Sequence, residues 1–89
     1  MAGLDMFEIS VYPNPSKGVV NLEVFNPQYS EVFIEIFNPN NKLVYVKQLN
    51  TASSYSNNSI NISQLPHGLY IIQIKNKNFV RTLLLSKID

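Results

Sequence analysis

Apolar and polar residues alternate along most of this chain with a period of two. Ile9 and Val11 alternate with polar neighbours, and Val20, Leu22 and Val24 do so again after a proline-rich break. This alternation is typical of strands that bury one face. The pattern predicts seven strands and no helix, with the strands at residues 7–12, 20–25, 31–37, 42–49, 60–62, 70–74 and 79–86.

The spacing of these strands predicts how they are assembled. Turn residues separate the strands, and the polar stretch 51–58 predicts the longest loop. Short strands with turn signals about every ten residues indicate an all-β fold, a seven-stranded immunoglobulin-like antiparallel β-sandwich with Greek-key topology. The sixth strand should lie inside a sheet, because residues 69–72 make both of its faces apolar.

The sequence alone does not show which face of the last strand is buried. One face holds Val80, Thr82, Leu84 and Ser86, and the other holds Phe79, Arg81, Leu83, Leu85 and Lys87. If the first face is buried, the second displays apolar groups and two cations to solvent, which suits docking of a partner. In the alternative, Leu83 and Leu85 pack beneath the linker or a loop.

A proline-rich segment follows the first strand, and we call residues 13–18 the Pro-Asn-Pro corner. Pro13 and Pro15 fix their φ angles and lack amide donors, so no strand ladder can run through them. Asn14 and Gly18 suit turns, and Gly18 can adopt a positive φ without steric cost. The segment therefore predicts a rigid corner between two strands.

A second turn segment opens the sixth strand with Gly68 and Tyr70. A tyrosine at such a strand entry is typical of a tyrosine corner, in which the hydroxyl bonds to the backbone a few residues upstream. Gly68 is expected to adopt a conformation that other residues resist.

These motifs together resemble the type A C-terminal sorting domain of type IX secretion in Bacteroidota. The resemblance rests on Pro-Asn-Pro-x-x-Gly at residues 13–18, Gly-x-Tyr at residues 68–70 and a basic, apolar final strand near the chain end. It covers residues 7–87 in the family's order. The chain departs from the family in its last strand, which usually carries several lysines and here has only Arg81 and Lys87 as basic residues.

The resemblance implies a non-catalytic secretion signal without a cofactor. Such a domain follows a fused N-terminal cargo, folds in the periplasm and is recognised by the outer-membrane translocon and its shuttle components. A sortase-like protease then removes it, and the cargo reaches the cell surface or the medium. We expect residues 1–6 to be a linker or an added start and residues 7–89 to be the domain.

The distribution of charge singles out the last hairpin as the basic region. The whole chain has a formal net charge of +1, but four of its seven cations lie from Lys75 onward against Asp89 alone. Such charges often only solubilise an edge strand. Together with the resemblance they predict that the translocon recognises Arg81, Leu83, Leu85 and Lys87, with strand addition as one possible mode.

The sequence argues against a catalytic triad, a zinc site, nucleic-acid binding and a membrane span. The chain has one histidine, His67, and no cysteine, which argues against a zinc site and against a Ser-His-Asp triad. Glu31 and Glu35 would lie about 13 Å apart along one strand, too far for paired glycosidase carboxylates. Four cations without a stacking platform do not predict nucleic-acid binding. No apolar run is long enough for a transmembrane segment.

One other function remains open, that of an immunoglobulin-like spacer or a carbohydrate-binding module of a surface enzyme. Sandwiches that bind sugars usually expose a row of aromatic side chains. Here the candidates are Tyr12, Phe25, Phe33, Phe37, Tyr45 and Tyr55.

Overall fold

The computed structural model of this chain describes residues 8–25, 31–50, 55–77 and 80–88. These residues form strands, turns and bends and no helix, so the predicted all-β fold is confirmed. In chain order the strands are β1 Glu8–Tyr12, β2 Val19–Phe25, β3 Glu31–Phe37, β4 Leu43–Asn50, β5 Tyr55–Asn61, β6 Gly68–Lys75 and β7 Val80–Lys87. The expected linker at 1–6 lies outside the described residues, as do Phe7, Phe79 and Asp89.

The strands form two antiparallel sheets with the orders β1-β2-β5 and β4-β3-β6-β7. The chain passes from one sheet to the other after β2, after β4 and after β5. This arrangement is consistent with an immunoglobulin-like sandwich. β6 lies between β3 and β7, which confirms the interior position expected from its two apolar faces. β7 is an edge strand.

The core lies between the sheets and is made from the alternate apolar residues of the central strands. In β2 and β3 every second residue is fully buried, and its neighbours are exposed or half-buried. The alternation seen in the sequence is therefore the division between core and surface. The buried apolar side chains are Val20, Leu22, Val24, Val32, Ile34, Ile36, Leu49, Ile60, Ile62, Tyr70, Ile72, Ile74 and Leu85.

β5 differs from the prediction. The sequence predicted a loop through residue 58 and a short strand at 60–62, but the strand already begins at Tyr55 and ends at Asn61. The predicted loop is wrong over residues 55–58 because β5 pairs with β2 along its whole length, from Phe25↔Tyr55 to Val19↔Asn61. Backbone pairing at a sheet edge does not require apolar side chains, and within β5 only Ile60 is buried.

Candidate functional site: the last strand and the two corners

The tyrosine corner fixes the start of β6. The Tyr70 hydroxyl donates a hydrogen bond of 2.7 Å to the carbonyl oxygen of Pro66, four residues upstream. The ring itself is in the core, and Tyr70 is only 2% exposed. Tyr70 thus anchors both the core and the turn before β6, and this turn determines how β6 enters the sheet.

Gly68 is required in this turn for two reasons. Its φ is +154°, which side chains rarely adopt. A Cβ atom at this position would also lie 3.3 Å from Cγ of Pro39, a tight contact with the turn between β3 and β4.

Gly18 behaves differently, because it does not use the positive φ that a glycine can adopt. Gly68 is the one described glycine with a positive φ. A Cβ atom on Gly18 would meet Cβ of Ser63 at 3.7 Å, an ordinary contact. The carbonyl of Gly18 accepts a hydrogen bond from the amide of Ile62 and so links the Pro-Asn-Pro corner to the end of β5.

The Pro-Asn-Pro corner does more than connect β1 to β2, because it binds the outer edge of β7. The Asn14 side chain donates from Nδ2 to the Leu84 carbonyl at 2.8 Å and accepts at Oδ1 from the Ser86 amide at 2.9 Å. The Ser16 amide donates to the Ser86 carbonyl at 2.9 Å, and the Ile88 amide donates to the Ser16 carbonyl at 2.8 Å. The corner thus replaces a neighbouring strand along residues 84–88.

Replacing Asn14 with alanine should release part of this edge. The Ser86 amide loses its acceptor, so we expect faster hydrogen exchange at Ser86 and a stability loss of about 1 kcal/mol. Asn14→Asp is the matched control for Ser86 protection, because it keeps an acceptor for the Ser86 amide while it replaces the donor to Leu84 with a charged carboxylate oxygen. Equal Ser86 protection in wild type and Asn14→Ala, measured by amide exchange, would contradict this role.

The structure decides which face of β7 is buried. Leu85 is fully buried and pairs across the sheet with Tyr70, while Leu84 is 56% exposed. An exposed stripe that includes Leu85 is therefore wrong, because Leu85 shares the inward face of β6. The inward face of β7 continues through Leu83, which is half-buried, and Lys87, while the outward face holds Val80, Thr82, Leu84 and Ser86.

Lys87 is the unexpected member of the inward face. It is 5% exposed and lies opposite Gly68 of β6, where no side chain competes for the space. A lysine can bury its aliphatic chain and keep its ammonium group near water. The expectation that Lys87 lies on the surface is wrong, whereas Arg81 is exposed. Recognition of these residues by a translocon stays a prediction.

The candidate aromatic residues do not form one row. Tyr12, Phe25 and Tyr55 lie exposed on the three-stranded sheet, where the rings of Phe25 and Tyr55 are 4.9 Å apart and tilted by 52°. Phe33 and Phe37 are half-buried on the other sheet, and Tyr45 packs against the core. The arrangement therefore does not favour a single sugar-binding platform.

Two polar contacts on the outer faces involve carboxylates. The Tyr55 hydroxyl donates a 2.6 Å hydrogen bond to the Glu23 carboxylate, and this bond is the main cause that raises the pKa of Tyr55. On the other sheet, Lys75 Nζ and Glu35 Oε1 form an ion pair at 3.3 Å. Both contacts link neighbouring strands. Over the described residues no group of three or more histidine, aspartate and glutamate side chains is placed to hold a metal ion.

A comparison with known families identifies nearly all of the sandwich. A family model described as the secretion system C-terminal sorting domain matches residues 10–86. The chain belongs to this family. The match begins in β1 and ends in β7, so this sorting domain contains both corners and nearly all of the last strand within the matched region. A search of curated proteins found no match.

Membership assigns this sorting domain to type IX secretion, as the motifs predicted. The family is a non-catalytic secretion signal. None of the described residues forms a helix that is long and apolar enough to cross a membrane. Sequence reasoning missed Ser16 and the contact between the Pro-Asn-Pro corner and β7. No local signal points to a pairing between residues separated by 70 positions, as Asn14 and Leu84 are.

Proposed function

We propose that this sorting domain directs an attached N-terminal cargo across the outer membrane as a folded signal. The observation that carries the proposal is the family match over residues 10–86. The hydrogen bonds from the Pro-Asn-Pro corner to β7 support a folded signal, because they hold the last strand in a fixed conformation. A receptor would then meet a rigid surface and not a flexible tail.

We infer the later steps of export by analogy with the same family. The cargo and its sorting domain pass through the periplasm, where the domain folds before shuttle components bring it to the translocon. A sortase-like protease then removes the domain at a site before β1, and the cargo stays on the cell surface or enters the medium. Removal as a unit suits this sandwich, because its seven strands share one core.

Fusion of residues 1–89 to the C-terminus of a periplasmic reporter should cause its export from a type IX-competent host. The reporter alone, and the fusion in a strain without the translocon, are the controls. We expect reporter activity outside the cells only with the fusion in the competent strain. Retention of the folded fusion in the periplasm of that strain would contradict the proposal. The size of the exported reporter shows whether the domain has been removed.

A further inference from the structure

The outer edge of β7 is divided into two halves. The Pro-Asn-Pro corner binds the backbone of Leu84, Ser86 and Ile88 on this edge. Backbone groups alternate in direction along a strand, so those of Val80 and Thr82 point to the same outer side. No described residue pairs with them there. The first half of β7 is therefore a free strand edge within the described part of the chain.

A groove lies directly beside this free half. Its volume is about 320 Å³, and its walls are Glu8, Ile9 and Ser10 of β1 together with Arg81, Thr82 and Leu83 of β7. β1 and β7 belong to different sheets, so the groove is the open seam of the sandwich. Ile9 and Leu83 pack partly against the core and give it an apolar floor.

The side chains around the free edge suit an extended peptide. A strand added to β7 would place alternate side chains on the two faces of the enlarged sheet. On the outer face they would meet Val80 and Leu84, which are 58% and 56% exposed. On the inner face they would enter the groove beside Ile9 and Leu83, with the exposed cation of Arg81 on the β7 wall and Glu8 on the β1 wall. Apolar residues fit both faces, and an acidic residue fits opposite Arg81.

We propose that residues 80–84 bind an extended strand of the export receptor by strand addition. The added strand carries apolar side chains on both faces and an acidic residue that faces Arg81. The Pro-Asn-Pro corner limits the added strand to this half of the edge, because the Leu84 carbonyl, the Ser86 backbone and the Ile88 amide already have partners. This inference rests on the proposed function and specifies the surface that the secretion machinery binds.

A second copy of the chain fits the same edge less well. Antiparallel pairing of two free halves would bring the two Arg81 side chains to opposite or diagonal positions, and like charges there are destabilising. Charge complementarity therefore favours a receptor strand with an acidic residue.

Proline at position 82 tests the proposal. Thr82→Pro removes an outward amide and blocks an added strand, while the hydrogen bonds from β7 to β6 stay intact. Thr82→Val is the matched control, because it keeps the amide and the shape of the side chain. We expect export of the reporter fusion to be about tenfold or more lower with Thr82→Pro than with Thr82→Val.

Thermal unfolding of each isolated domain shows whether the variants are folded. If Thr82→Pro unfolds early, Val80→Pro replaces it, because proline is tolerated at the first residue of a strand. A folded proline variant that is exported at the wild-type level overturns the inference and leaves the proposed function intact. No export of the wild-type fusion refutes the proposed function itself. If the wild-type domain is a dimer and a proline variant is a monomer, the edge binds a second copy of the chain, and this result also overturns the inference.

Discussion

Replacing Tyr70 with alanine should unfold much of this sorting domain at physiological temperature. The ring is among the largest fully buried side chains, and its hydroxyl bonds to Pro66 at the start of β6. Truncation of a buried aromatic residue costs about 3–5 kcal/mol. Domains of this size have only about 5–15 kcal/mol of total stability. β6 pairs with both β3 and β7, so this loss affects the whole larger sheet.

Tyr70→Phe separates the hydrogen bond from the packing. This variant keeps the ring in the core and loses only the bond to the Pro66 carbonyl, at a cost of about 0.5–1.5 kcal/mol. Urea unfolding of the three proteins measures both differences. A Tyr70→Ala domain with the wild-type free energy of unfolding would show that the ring does not support the core. The export assay should follow stability, with Tyr70→Phe close to wild type and Tyr70→Ala strongly reduced.

Local sequence signals predicted most of the fold. Alternation at Val20, Leu22 and Val24 defines a half-buried strand directly, because the period of side chains in a strand is two. The two apolar faces of β6 correctly predicted an interior position. The tyrosine corner was also readable, since Pro66, Gly68 and Tyr70 are close in sequence and their geometry is local.

Two features depend on contacts between residues that are distant in sequence, and the local sequence pattern did not predict them. β5 is almost entirely polar and does not bury a whole face. It forms a strand because its backbone pairs with that of β2 along its whole length. The Pro-Asn-Pro corner was predicted as a turn, but its function as a partner of β7 comes from the sandwich, which brings the two segments together. Asn14 fits this place because its amide donates and accepts as a peptide group does.

The buried face of β7 could not be predicted, because both faces of the strand contain leucine. The choice is made by β6, since Leu85 lies opposite Tyr70 and must share its inward face. A lysine on that face misled the sequence argument, because lysines are rarely buried. Lys87 occupies this position opposite Gly68, and Ser16 of the Pro-Asn-Pro corner forms a parallel bridge to it.

Because Lys87 is buried, charge reversal at Lys87 and charge reversal at Arg81 test different properties of the last strand. Lys87 and Arg81 are both basic, but only Arg81 is exposed. Arg81→Glu should change the free energy of unfolding by no more than about 0.5 kcal/mol, as exposed substitutions usually do. It should still reduce export, because the proposed receptor strand places an acidic residue opposite this position. A combined reversal of both residues would mix loss of recognition with loss of folding.

Lys87→Glu should destabilise the domain by roughly 2–4 kcal/mol, because it places a carboxylate on a shorter side chain in a nearly buried position. Lys87→Met is the matched control, since it keeps a long unbranched side chain without the charge and should stay within about 1 kcal/mol of wild type. Urea unfolding and the export assay are measured on the same variants. Stable, exported Lys87→Met together with unstable, retained Lys87→Glu would assign Lys87 to packing. Stable but retained Lys87→Met would show that the machinery recognises the ammonium group. A Lys87→Glu domain as stable as wild type would contradict burial of this side chain.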